Sequence, residues 1–227
     1  MQLRHLALVL SFLLLASVGP VHVAAEATAP ATIALPAPQT DGKVAIEKAL
    51  ATRRSVRTIA PTALPLAQVG QLCWAAQGVT DDKGHRTAPS AHAAYPLELY
   101  VIAGAVEGLT PGVYHYVPAG HTLQPVTSGD QRADFVTKAV GQEWIKQAPA
   151  VLVITGNAEK MGKMRERGVS FMWVEAGLAA QGFFLQATAL GLGSTYVGGF
   201  DPAAARTALG LPATEEVLAV LPVGRKQ

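Results

Sequence analysis

The sequence predicts an α+β sandwich, helices packed on a central sheet, and three observations carry the prediction. Short β-branched and aromatic runs alternate with helical patterns from Lys43 onwards. Ala150–Thr155 is continuously apolar, the mark of a strand buried on both faces. Val169–Leu190 is a long helical pattern with apolar side chains at spacings of three and four. Half of the 227 residues are hydrophobic, which supplies a substantial core.

Taken in order, residues 1–25 read as a secretory signal peptide. Arg4 and His5 form a basic start, Leu6–Val18 an apolar middle, and Val23, Ala24 and Ala25 a small-residue cleavage site. The apolar stretch is shorter than the ~20 residues that span a bilayer, and Gly19-Pro20 breaks it, so no stable membrane span is expected after cleavage. The product is expected to be exported, periplasmic or secreted. Residues 26–40, rich in Ala, Pro and Thr, read as an extended linker or arm. Residues 41–227 read as the folded domain, a length that suits a single unit.

Within the domain, Asp41 is placed to cap a helix through Lys43–Ala51, with Val44, Ile46, Ala49 and Leu50 as its apolar face. Pro65 introduces a second helix, Leu66–Gln77, and Gly78 stops it. A polar loop, Asp81–Ser90, leads to a strand at Leu97–Ala103. Val113–Val117 and Thr122–Val126 form a hairpin around Pro118-Ala119-Gly120-His121, and Asp130–Val140 is helical. In the long helix, Phe171, Val174, Leu178, Gly182, Leu185 and Ala189 define a face that runs through the core or a subunit interface. Gly191-Leu192-Gly193 ends it. Ser194–Gly199 is extended, Pro202–Leu209 is a helix capped by Asp201, and Val217–Val223 is the last strand.

Charge removes one class of function. The formal net charge of +2 becomes +1 when the leader takes Arg4 away, so the protein exerts no long-range pull on nucleic acid. Cys73 is the only cysteine, which excludes an intrachain disulfide, and it reads as a small core hydrophobe.

Five short motifs remain. Arg53-Arg54-Ser55-Val56-Arg57 follows the first helix; its guanidinium forks match phosphate oxygens, although a solvated turn has the same spacing. Arg86-Thr87-Ala88-Pro89-Ser90 is by itself a turn. Glu175-Ala176-Gly177, with Gly182 beyond, places glycine in mid-helix at a cost of roughly 1 kcal/mol each. Either a flat ligand or a second helix approaches closely there. Gly198-Gly199-Phe200 and Pro222-Val223-Gly224-Arg225 complete the set.

In this order the motifs resemble the nitroreductase-like flavoprotein family, over residues from about Lys43 to Arg225. The stretch from Arg86 through Tyr95-Pro96-Leu97-Glu98-Leu99-Tyr100, with Gly112-Val113-Tyr114-His115-Tyr116 after it, looks most like the branch of azoline-oxidising dehydrogenases of peptide maturation. The resemblance implies a central mixed sheet, an intertwined homodimer, bound FMN and a small-molecule or peptide substrate. It implies that Arg53 and Arg225 hold the FMN phosphate with Ser55 and Arg54 nearby, and that Arg57 approaches the pyrimidine edge of the ring. Pro89 and Ser90 would pack on the flavin from the other subunit, while Glu175, Gly177, Gly198 and Gly199 lie beside the ring. No metal is implied.

Two positions depart from the family pattern. Ala93 stands where nitroreductases usually carry a ring-contacting Asn, and His92 stands where the azoline-oxidising branch often has Gly. Tyr95, Tyr114 and His115 are the candidates for an acid or base. The competing functions are a flavin-binding accessory protein without turnover, and an exported binding domain without flavin whose arginines are surface charge.

Overall fold

Side chains on the central strands alternate between two separate cores, and that alternation sets the architecture. Leu97, Leu99 and Val101 enter one core, Tyr100 and Ile102 the other, as the period of two along a strand requires. A sheet buried on both faces needs helices on both. The computed structural model describes residues 31–227 and shows this sandwich; the leader and residues 26–30 lie outside the described residues.

The strands are β1 (Ile33–Ala34), β2 (Leu64–Pro65), β3 (Leu97–Ala103), β4 (Val106–Glu107), β5 (Gly112–Val117), β6 (Thr122–Ser128), β7 (Ala150–Gly156), β8 (Leu192–Ser194) and β9 (Glu216–Arg225). Seven of them form the main sheet in the order β1-β6-β5-β3-β7-β9-β8, with antiparallel ladders. The parallel component is marginal: β2 pairs with β4, and Ser55 bridges Ser194 of β8. Every residue of β7 is buried, as its unbroken apolar run requires. The helices are α1 (Ile46–Thr52), α2 (Leu66–Gln77), α3 (Arg132–Phe135), α4 (Arg165–Ala189) and α5 (Pro202–Leu209). Leu72 and Cys73 of α2 and Met172 and Phe183 of α4 fill the first core; Phe135 of α3 and Leu209 of α5 fill the second. Burial pushes the Cys73 thiol up to about 12, which leaves it the inert hydrophobe expected.

Two elements differ from the sequence reading, and in a third the structure removes one of two alternatives. The first helix starts at Ile46 behind Ala45, and Asp41 does not cap it. Asp41 lies too far upstream to reach the N–H groups of the first turn. Asp130–Val140 is not one α-helix: α3 lasts four residues, then widens into a π-helical turn, Val136–Val140, closed by Gly141 at φ 71°. In the long helix, the face read as running through the core or a subunit interface is not the core face. Met172, Ala176, Ala179, Ala180, Phe183 and Ala187 face the core, while Val174 and Leu178 are 60% and 44% exposed. Where α2 passes close by, that side carries glycine and alanine. A Cβ on Gly182 would sit 2.5 Å from the Ala75 carbonyl oxygen. Of the two alternatives open for the helix glycines, Gly182 is a helix-crossing glycine, whereas a Cβ on Gly177 meets nothing within 4 Å.

Residues 31–40 behave as an arm laid against the domain. β1 pairs with β6, Leu35 is buried, and the Gln71 side chain binds both backbone groups of Gln39 at 2.8 and 3.0 Å. By length and composition α4 also passes for a membrane span, but its inner face belongs to the core.

Alanine improves helix propensity over glycine by about 1 kcal/mol, yet Gly182→Ala is expected to destabilise. The opposing atom is a backbone oxygen that cannot rotate away, and overpacking of that kind costs about 1–3 kcal/mol. A lower urea midpoint at unchanged slope is the expected result.

Candidate functional site

At the β8 margin of the sheet the two ends of the domain meet. Gly193 of β8 and Gly224 of β9 are cross-strand partners. A Cβ on Gly193 would lie 2.7 Å from Val56, and one on Gly224 would lie 2.4 Å from Ile59. The segment after α1 is seated on this glycine pair. Val56 N–H donates to the Ser194 carbonyl and Ala60 N–H to the Arg225 carbonyl, each at 2.9 Å. Ile59 bridges Lys226. Arg53, Ser55 and Arg57 are thereby carried on a segment hydrogen-bonded to Arg225, from the opposite end of the chain. Val56 packs toward the second core, so Ser55 faces the other way in the extended chain, as does Ser194 beside Gly193.

The charges there are uncompensated. Among the described residues, no ion pair involves Arg53, Arg54, Arg57 or Arg225. Arg54 acts locally. Its guanidinium donates to the carbonyls of Ala51 and Arg53 at 3.1 and 2.7 Å, closing the C-terminal end of α1. Arg53 is partly buried, and Arg57 and Arg225 are exposed. Next to them, Ser194 is 5% exposed, and its hydroxyl has no hydrogen-bond partner among the described residues. A buried hydroxyl in that condition needs an explanation. No sequence pattern marked Ser194, since its burial comes from the crossing segment.

The second group of predicted residues lies at α4 and the loop before β3. Glu175 is 4% exposed, and its Oε1 accepts the Ala91 N–H at 2.8 Å. It therefore meets the Pro89–Ser90 loop of its own chain through its side chain, not only through backbone. Ser90 Oγ accepts the Tyr95 N–H at 2.8 Å, and Pro89 is exposed. Between them, His92, Ala93 and Tyr95 have φ of 53°, 52° and 45°. The glycine usual in the azoline-oxidising branch would adopt this conformation freely at position 92; the side chains here cost about 1–2 kcal/mol each. Gly198 and Gly199 are exposed just after Val197, which pairs with Val220. Tyr196 anchors that turn by donating to the Leu218 carbonyl at 3.0 Å.

Of the acid–base candidates, Tyr114 and His115 are engaged elsewhere, and Tyr95 stays in the loop before β3. The Tyr114 hydroxyl donates to the Thr110 carbonyl at 2.6 Å, and the Arg86 guanidinium lies 4.4 Å from the centre of the Tyr95 ring. His115 binds Glu98 at 2.8 Å, and Lys160 closes on the other Glu98 oxygen. Burial alone would raise the Glu98 carboxyl, but His115 and Lys160 outweigh it and hold it below the usual range. Beside them Tyr100 and Thr155 both donate to buried Glu215. This network is internally paired. Among the described residues, no group of three or more His, Cys, Asp or Glu is placed to hold a metal.

Comparison with known proteins converges on one family. The model described as the nitroreductase family matches residues 50–225. A protein of Methanocaldococcus jannaschii assigned as a nitroreductase is 38% identical over 185 residues, covering 81% of this chain and 92% of that protein. A crystal structure of a protein assigned as a nitroreductase from Ralstonia eutropha is 30% identical, covers 86% of this chain and 90% of that one, and superposes with a TM-score of 0.76. A chain of the Escherichia coli microcin synthetase McbBCD complex, solved with truncated pro-MccB17 bound, is 21% identical over 94% of this chain and 85% of that one, at a TM-score of 0.67. That last likeness is one of fold.

The strained loop yields a direct expectation. Ala93→Gly should raise stability by about 1 kcal/mol, because glycine takes positive φ without the clash of a Cβ. The same substitution at Ala91, which lies outside the left-handed set, should not. Thermal melts of the two variants compare them.

Proposed function

Because the chain belongs to the nitroreductase family, we propose that it is an FMN-dependent oxidoreductase acting on a small organic or peptide substrate. One observation carries the reading: three guanidiniums without an ion-pair partner among the described residues, those of Arg53, Arg57 and Arg225, share a sheet margin with the buried hydroxyl of Ser194, which has no partner among them either. Phosphate supplies the missing negative charge and acceptor oxygens that fit guanidinium forks. The residues present therefore fit the phosphate end of FMN. Arg53, Ser55 and Arg225 would hold it, with Ser194 as a further donor, and Arg54 fixes the turn that presents them. Arg57 would place its charge at the ring, where it favours negative charge developing there. Gly198 and Gly199 leave room for a flat surface. When bound, the flavin supplies the electron-pair transfer itself; position, field and access come from the protein.

The working unit is a homodimer. Trp173, Val174 and Leu178 are 42%, 60% and 44% exposed on α4, and α1, packed against α4, exposes Ile46 and Leu50. An apolar strip of this kind supports association with a second copy. Such pairing would bring Pro89 and Ser90 of one subunit to the flavin of the other, as the family resemblance implies.

The leader motif supports export, which places the enzyme outside the nicotinamide pool and favours a donor other than free NAD(P)H. A peptide substrate, as in the azoline-oxidising branch, is the narrower reading, supported by the motifs from Arg86 to Tyr100. Ala93, which offers no amide to the ring, favours a second reading, a flavin carrier without turnover.

The mature protein should be yellow as purified and bleach reversibly with dithionite; a colourless protein whose melting temperature ignores added FMN ends the flavin reading. Bound flavin that no donor reduces would favour the carrier. Rapid anaerobic bleaching by micromolar NADH would reject the proposed donor. Arg225→Ala should weaken FMN binding about 10- to 100-fold, the loss of a charged hydrogen bond. Arg57→Ala should instead lower the flavin midpoint potential by roughly 30 mV. Titration by fluorescence and by redox dyes separates the two effects.

A further inference from the structure

The loop from Ser90 to Tyr95 concentrates backbone strain. His92, Ala93 and Tyr95 all have positive φ, and the only other described non-glycine residue in that region is His121. Such a conformation persists only where neighbours over-determine it. Three side-chain contacts do so here, besides the turn hydrogen bonds from the Ala93 N–H to the Ser90 carbonyl and from the Ala94 N–H to the Ala91 carbonyl. Ser90 Oγ accepts the Tyr95 N–H, the Arg86 guanidinium covers the Tyr95 ring, and Glu175 Oε1 accepts the Ala91 N–H. The first two come from the loop and the residues just before it. Glu175 is different: it reaches in from α4, 84 residues further along the chain. Burying a carboxylate among the alanines of that helix is costly unless it is used. Shortly after it, Gly177 leaves the helix surface open.

We propose that Glu175 is a positioning residue of the flavin site: by holding the Ala91 N–H, it fixes the left-handed loop that presents Pro89, Ser90 and His92 to the bound ring. The inference rests on the flavin reading above and gives the Glu175 side chain a role beyond its place on the helix. What matters is the acceptor oxygen, because its partner is a neutral amide. Glutamine should therefore replace glutamate here, and alanine should not.

The test uses the full-length mature protein with Glu175→Ala, Glu175→Gln and the double variant Glu175→Ala/Ala93→Gly. Amide exchange of the peptide spanning residues 90–96 is read on FMN-free protein, and FMN affinity and midpoint potential are read by titration. Glu175→Ala should speed exchange in that peptide at least tenfold, with the rest of the sheet unchanged, weaken FMN binding several-fold and shift the potential. Glu175→Gln should stay near wild type in all three. Adding Ala93→Gly should recover part of the loss, since glycine lowers the cost of the left-handed loop. Should Glu175→Ala not fold, Glu175→Leu fills the space without an acceptor and carries the same expectation. Unchanged exchange and FMN affinity in the alanine or leucine variant, loosening spread evenly over the sheet, or a glutamine variant as impaired as alanine would each overturn the proposal. If the wild type binds FMN and only these expectations fail, the flavin reading stands. If the wild type binds none, both fall together.

Discussion

The site depends on two glycines that face each other across β8 and β9. Gly193 and Gly224 leave a shallow saddle at the sheet margin, and Val56 and Ile59 occupy the volume their side chains would have filled. The polypeptide after α1 can thus lie down on strands formed near the C-terminus and hydrogen-bond to Ser194 and Arg225. Local sequence supplies the arginines, but tertiary contact gives them a common address. The same crossing buries Ser194, so one packing event gathers the charges and creates the hydroxyl that lacks a partner.

Gathering guanidiniums without carboxylates has a modest cost. In water two like charges 4 Å apart repel by about 1 kcal/mol, and salt screens exposed pairs further. A domain of ordinary stability tolerates that, so the cluster needs no ligand in order to fold. It does need a reason to stay uncompensated when the described surface offers ion pairs elsewhere, as Arg132–Asp130 and Lys138–Asp134 show. The proposed phosphate would give that reason, since it would bind more tightly where no carboxylate competes for the forks.

Much of this was legible in the sequence where one residue type answers to one local demand. Asp201 caps α5 with two backbone hydrogen bonds, and the unbroken apolar run of β7 is buried throughout. The order of the arginine and glycine motifs identified the family. What failed to show was set by distant contacts. Gly193 read only as a helix stop, although its use is to admit Val56. Ser194 carried no pattern at all. The positive φ at Ala93 and Tyr95 was hidden because those residue types rarely adopt left-handed backbone; at His92 the glycine common in the azoline-oxidising branch was the one hint.

The long helix is the most instructive element, because its hydrophobic period was legible while the choice between core and subunit interface for its apolar face was not. Periodicity reports that a face is apolar; it does not say what covers it. On α4 the large side chains Trp173, Val174 and Leu178 point away from the sheet, while alanines line the inside. Close approach of α2 at Gly182 demands a residue without a Cβ at that crossing, while Met172 and Phe183 fill the deeper parts of the same face. A helix built this way buries Met172 and Phe183 inside and leaves Trp173, Val174 and Leu178 exposed on its other side. Glu175 belongs to the inner face, where it ties the loop before β3 to the helix. Whatever covers the outer face of α4 therefore bears, through one helix, on the loop that Glu175 holds. If a second copy covers that face, as proposed, assembly and the loop that Glu175 holds share one helix.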